Sequence, residues 1–181
     1  MRKFLILFLL IFSLVSCNHN DVPIDESEWT VVCCPAEIAN RAFSFAELYE
    51  AADTIYEWGG QDPVRSAIGI DCSGLVVMCY KYALVDTRYS LILPDMSSGY
   101  IYQNAANIVP VSGIRKGDLI FMGEKDSLSV THIALFDRME NGRIYFIDST
   151  EKDDINGVTR RFYDADDARF KAFGQMKLKM F

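Results

Sequence analysis

The sequence predicts an α+β domain in which helices come first and an antiparallel sheet follows. Two observations carry this. Residues 44 to 57, S-F-A-E-L-Y-E-A-A-D-T-I-Y-E, repeat apolar side chains at three- and four-residue spacing, the period of a helix that buries one face. From residue 118 onward the texture changes to short apolar runs separated by Gly, Asn and Asp, the punctuation of strands and tight turns. Helices gathered before strands indicate segregated α+β layers, since a parallel sheet would alternate the two.

The chain opens with Arg2 and Lys3, then an almost unbroken apolar run from Phe4 to Val15. A basic start, an apolar stretch of roughly 7–15 residues and small residues before a cut mark a secretory signal, too short for a spanning helix. Residues 1–16 are therefore expected to be removed. The closing Leu14-Val15-Ser16-Cys17 resembles the bacterial lipobox, which implies that Cys17 carries lipid and anchors the protein to a membrane by acyl chains. Residues 18 to 28, N-H-N-D-V-P-I-D-E-S-E, are polar and acidic without periodicity, and read as a tether. The expected division is a signal over 1–16, an anchored tether and extension over 17–40, and one domain over 41–181.

Within that domain, Ser44 is placed to cap the first helix, with Glu47 three residues on, and Trp58-Gly59-Gly60 to end it. A loop with Pro63 follows to Ile70. A second helix is expected from about Cys72, with Leu75, Val76, Cys79, Tyr80 and Ala83 on one face. Residues 86 to 115, punctuated by Pro94, Gly99, Pro110 and Gly113, predict irregular structure. Strands are expected over 118–122, 130–137, 143–148, 158–162 and 175–181, with a hairpin around Glu140-Asn141-Gly142.

Without Arg2 and Lys3 the chain keeps 16 basic and 25 acidic residues, a net charge of −9. No run of Lys or Arg marks a phosphate-binding face, so nucleic acid is not an expected partner. The five cysteines are 17, 33, 34, 72 and 79. Their spacing forms no disulfide framework and no zinc site, and adjacent Cys33 and Cys34 leave their pairing open. No metal or organic cofactor is implied.

Cys72 stands at the expected helix start, where unpaired N–H groups and the helix dipole favour a thiolate. Cys79, two turns further in, is expected in the core. A thiolate needs a proton partner, and the chain has two histidines. His19 lies in the tether, so His132, in the apolar run V-T-H-I-A-L-F, is the candidate. A hairpin of strands 130–137 and 143–148 would bring Asp148 to the same end as His132, where it could fix the imidazole.

Together these residues resemble the NlpC superfamily of bacterial cell-wall cysteine peptidases. Tyr56-x-Trp58-Gly59-Gly60 is similar to its Y-x-W-G-G, and Asp71-Cys72-Ser73-Gly74-Leu75 matches its nucleophile motif. Lys116 to Phe121 resembles the P-G-D-L-x-F strand, and Thr131 to Phe136 the strand carrying the histidine. The likeness runs from about Phe45 to the C-terminus. It implies a papain-like fold, with Cys72 attacking a carbonyl and His132 carrying its proton. The backbone N–H of Cys72 and the Tyr56 hydroxyl would face the oxyanion, and Asp71 and Ser73 would bind the stem peptide. Trp58 is expected to pack.

The departures are specific. Where the family usually has His, Asn or Gln as third residue, this chain has Asp148, behind a longer hairpin. The loop from Gly60 to Asp71 is also longer, and its Arg65 could meet an acidic substrate. The resemblance implies a monomeric cysteine peptidase in the cell envelope, facing the periplasm or exterior and cutting the γ-D-glutamyl–diaminopimelate bond. A muramoyl–alanine amidase, an acyl transferase and an inactive wall-peptide-binding lipoprotein remain as alternatives.

Overall fold

The computed structural model describes residues 29–61, 69–152 and 154–181. The expected signal and tether, with Cys17 and His19, lie outside the described residues, as does Arg65.

Strand β1 (Thr30–Cys33) leads through Cys34 and Pro35 into helix α1 (Ala36–Ala51). Pro35 takes φ −58° and ψ 146° at the N-cap, a position where its fixed φ and missing N–H cost nothing. Ile38, Ala39, Ala42, Phe43, Ala46 and Tyr49 are buried, one face at helical spacing. The expected start at Ser44 is therefore corrected. Ser44 lies inside the helix and its hydroxyl donates to the Asn40 carbonyl (3.2 Å). Three of the missed face positions are alanines, whose small side chains give little hydrophobic signal. The helix also stops earlier than expected, where Asp53 turns the chain with φ 49°. The expected domain boundary at residue 41 cuts through α1, so the fold includes residues 30–40.

Helix α2 (Cys72–Ala83) follows as expected, with Gly74 to Tyr80 all buried. The segment expected to be irregular holds two short strands, β2 (Tyr89–Leu91) and β3 (Ala106–Val109), with helical turns at Ser98–Tyr100 and Ile101–Ala105 between them. Strands of three and four residues are too short to show an alternation. Then come β4 (Leu119–Met122), β5 (His132–Glu140), β6 (Arg143–Lys152), β7 (Ile155–Asp164) and β8 (Phe170–Met180). The antiparallel sheet runs β1-β8-β4-β5-β6-β7, with β2 and β3 also paired to β8. Asn141 (φ 52°) and Gly142 (φ 73°) form the expected two-residue hairpin between Glu140 and Arg143.

Alternation along the strands gives the sheet two apolar faces. Leu119, Phe121, Ile133, Leu135, Ile147, Met176 and Leu178 pack with α1 and α2. Ile120, Met122, Ala134, Phe136, Ile144 and Phe146 form a second cluster, lined by Tyr163, Phe170 and Phe173. The turn before β4 locks the layers together. Gly117 (φ 84°) sits so close to Ala39 of α1 that a Cβ would strike its carbonyl, and its own carbonyl accepts from the buried Tyr80 hydroxyl of α2 (2.9 Å).

Candidate active site

The site forms where the N-terminus of α2 meets the ends of β5 and β6. Asp71 caps α2 in an extended conformation (φ −86°, ψ 179°), and its Oδ1 accepts from the Gly74 N–H (2.6 Å) and the Ser73 hydroxyl (3.0 Å). Its Oδ2 accepts from the Gly59 N–H (3.0 Å), which ties the Trp58-Gly59-Gly60 turn to the helix start. The glycines make this contact possible. A Cβ on Gly74 would run into the Gly60 carbonyl, and one on Gly60 into the Gly69 carbonyl. Cys72, half-buried, is the first residue of α2, while Cys79 is fully buried and burial pushes its thiol far above the ordinary value.

From β5, His132 meets both neighbours. Its Nε2 lies 2.6 Å from Asp148 Oδ2, and Cys72 is near enough to act on the imidazole. The sheet register explains the first contact: Leu135 faces Ile147, so Asp148 lies diagonal to His132 on the same side of the sheet. Burial opposes a charged imidazole, but hydrogen bonds and charges from Asp148 and Cys72 outweigh it and push His132 up to about 10. Burial likewise opposes a charged Asp148, yet bonds from His132 and Arg161 hold it below its ordinary value. Tyr56 is near enough that burial, then the charges of Cys72, Asp71 and Glu151, raise its phenol. The six residues expected at the site, Tyr56, Asp71, Cys72, Ser73, His132 and Asp148, thus fall at one junction; the expected lipid site, Cys17, is not described.

Two further residues, Ser149 and Arg161, were not singled out in the sequence. Ser149, buried on β6, donates its hydroxyl to the Ile70 carbonyl (2.6 Å) and so holds the segment leading into Cys72. Arg161 on β7 grips Asp148 through Nε (2.9 Å to Oδ1) and a second bond to Oδ2. The Arg160-Arg161 pair was a usable signal, because neighbours on a strand point to opposite faces. Arg160 turns to Glu47 and Glu50 of α1, and Arg161 to the site. Trp58 corrects an expectation: it is 88% exposed instead of packed. It lines a cleft of about 340 Å³ together with Thr131, His132, Thr150, Arg161 and Tyr163.

A family model described as the NlpC/P60 family matches residues 53–166. The chain is 35% identical over 98 residues to peptidoglycan endopeptidase RipA of Mycolicibacterium smegmatis, covering 49% of this chain and 17% of that protein. It resembles the structure of an NLP/P60-family protein, described as similar to lipoprotein, from Staphylococcus aureus (TM-score 0.50, 23% identity, 81% of this chain and 43% of that one). It also resembles NlpC1 from Trichomonas vaginalis (TM-score 0.53, 19% identity, 78% of this chain and 44% of that one). The chain spans less than half the length of each, and at these identities the two structures speak for the fold alone. With the family model covering most of the folded chain, and its motif residues meeting at one junction, the chain belongs to the NlpC/P60 family.

Proposed function

We propose that this protein is a peptidoglycan-hydrolysing cysteine peptidase that cleaves the γ-D-glutamyl–diaminopimelate bond of stem peptides. The observation that carries the reading is the meeting of His132, bonded to Asp148, with Cys72 at a helix N-terminus. In this reading they act as nucleophile (Cys72), base (His132) and orienting acid (Asp148). His132 takes the Cys72 proton, and the thiolate attacks the scissile carbonyl. The first turn of α2, whose N–H groups have no partner within the helix, and the Tyr56 hydroxyl face the oxyanion. His132 then returns the proton to the leaving amine, leaving a thioester. Water attacks that thioester with His132 as base, which releases the γ-carboxylate and restores the thiol.

The choice of bond rests on family membership and on the likeness to a peptidoglycan endopeptidase. Asp71 and Ser73 border the nucleophile, and Asp71 Oδ2 keeps an acceptor position beyond its bond from Gly59. That position suits the free amine at the start of a stem peptide. Attachment through lipid on Cys17, in a bacterial envelope, completes the proposal.

The test is mass spectrometry of defined stem peptides incubated with the wild-type protein and with Cys72→Ala. Cleavage after γ-D-glutamate by wild type alone is the expected result, and protein taken from membranes should carry acyl mass on Cys17. Loss of the muramoyl–alanine bond would reassign the enzyme as an amidase. If intact and cross-linked stem peptides both survive the wild-type protein, the peptidase reading fails.

A further inference from the structure

Asp148 is fully buried, and a buried carboxylate keeps its charge only beside cations or strong donors. Among the described residues its partners are His132 and Arg161, and both reach Oδ2. Once Cys72 has passed its proton to His132, the group Cys72, His132, Asp148 and Arg161 holds thiolate, imidazolium, carboxylate and guanidinium, two charges of each sign. Take Arg161 away and two anions share one imidazolium. A neutral third residue would raise no such problem, since thiolate and imidazolium balance by themselves. An acid in that place creates a debt that only a fourth group can settle.

We propose that Arg161 is the positioning residue that lets an aspartate serve as third member of this site. It offsets the Asp148 charge, so the imidazolium stays available to Cys72, and its fork fixes Oδ2 on His132. The inference rests on the Cys–His–Asp reading above. Arg161 is built for a fixed role. Only 13% of its side chain is exposed, its Nη1 donates to the Tyr163 hydroxyl (2.8 Å), and its guanidinium lies over the Phe146 ring (5.4 Å) and the Tyr163 ring (5.5 Å). The surrounding charges do not replace it. Arg169 stacks on Tyr163 (3.4 Å) and is paired with Asp167, while β4 offers His132 only the apolar Met122. From the α2 side the site faces Cys72, Asp71 and Tyr56, with Glu151 beyond, which add negative charge or none.

The experiment is a charge cycle on the whole protein, read by the alkylation rate of Cys72 at fixed neutral pH, with the modified peptide identified by mass. Arg161→Met should slow alkylation about tenfold, one pK unit of thiolate population. Arg161→Met with Asp148→Asn should recover most of that loss, because removing the carboxylate restores the balance. Arg161→Lys should keep the alkylation rate and lose kcat on stem peptide, having the charge without the fork. A double variant as slow as Arg161→Met, or slower, would overturn the proposal, since a merely structural arginine gives no rescue. Arg161→Gln serves as the uncharged variant if Arg161→Met does not fold. Alkylation needs no peptide, so a protein that cuts no stem peptide sinks the peptidase reading while the charge cycle still decides the role of Arg161.

Discussion

At the scale of single residues, the proposed mechanism makes the charge on His132 the group that sets the working pH range. Asp148 and Cys72 stabilise the imidazolium against burial, with the result that it persists to about 10 instead of the ordinary 6.5. Activity through a thiolate–imidazolium pair should therefore hold through neutral pH and fall as pH rises through that value. Asp148→Asn removes one of the stabilising charges, so the alkaline limb of kcat/KM should move down by at least about one unit. An unmoved limb would mean that Asp148 does not act on His132. The sign for stability follows the same group: its contribution is complete below pH 6.5 and is lost as pH climbs through about 10. Cys72 and His132 were legible because each stands in a motif and few rivals exist. Arg161 was not, because its meaning depends on which strand lies beside Asp148.

At the scale of elements, β6 braces both halves of the site from consecutive residues. Asp148 points to one face and bonds His132; Ser149 points to the other and holds the Ile70 carbonyl, two residues before Cys72. Ser149→Ala leaves that carbonyl without its buried partner, a loss of about 1–3 kcal/mol in stability. Catalysis should suffer too, through a loosened α2 start, and KM on stem peptide should change less than kcat. Chemical denaturation with steady-state kinetics checks both, and an unchanged kcat would show that the Ile70 segment is held by its other bonds alone. The strong elements were legible: α2, the Asn-Gly hairpin and the long strands each carry a local signal. The start of α1 and the strands β2 and β3 were not. Alanine positions hide a helical face, and three- or four-residue strands exist because β8 offers them an edge, which no local pattern encodes.

At the scale of the whole molecule, the sheet is closed by residues that look like a linker. β1 pairs Thr30 to Cys33 with Lys177 to Met180, so the two ends of the described chain hold each other. Cys34, Ile38 and Ala39 are buried, and burial pushes the Cys34 thiol up to about 12. Ala39 is also the residue against which Gly117 rests, and Arg115 reaches from the same turn to the Cys34 carbonyl (3.1 Å) while gripping buried Asp118. A chain cut at residue 41 would lose all of this: a strand, the first turn of α1 and the partner surface of the Gly117 turn. Burying one side chain such as Ile38 contributes about 1.5–3 kcal/mol, and a whole domain has only about 5–15 kcal/mol to lose. Residues 29–181 should therefore unfold in one cooperative thermal transition, whereas residues 41–181 should show no such transition or aggregate on expression. Equal melting temperatures for the two would mean that β1 merely decorates β8. A large drop confined to the shorter chain would place the true start of the domain at the sheet edge, a few residues past the acidic stretch.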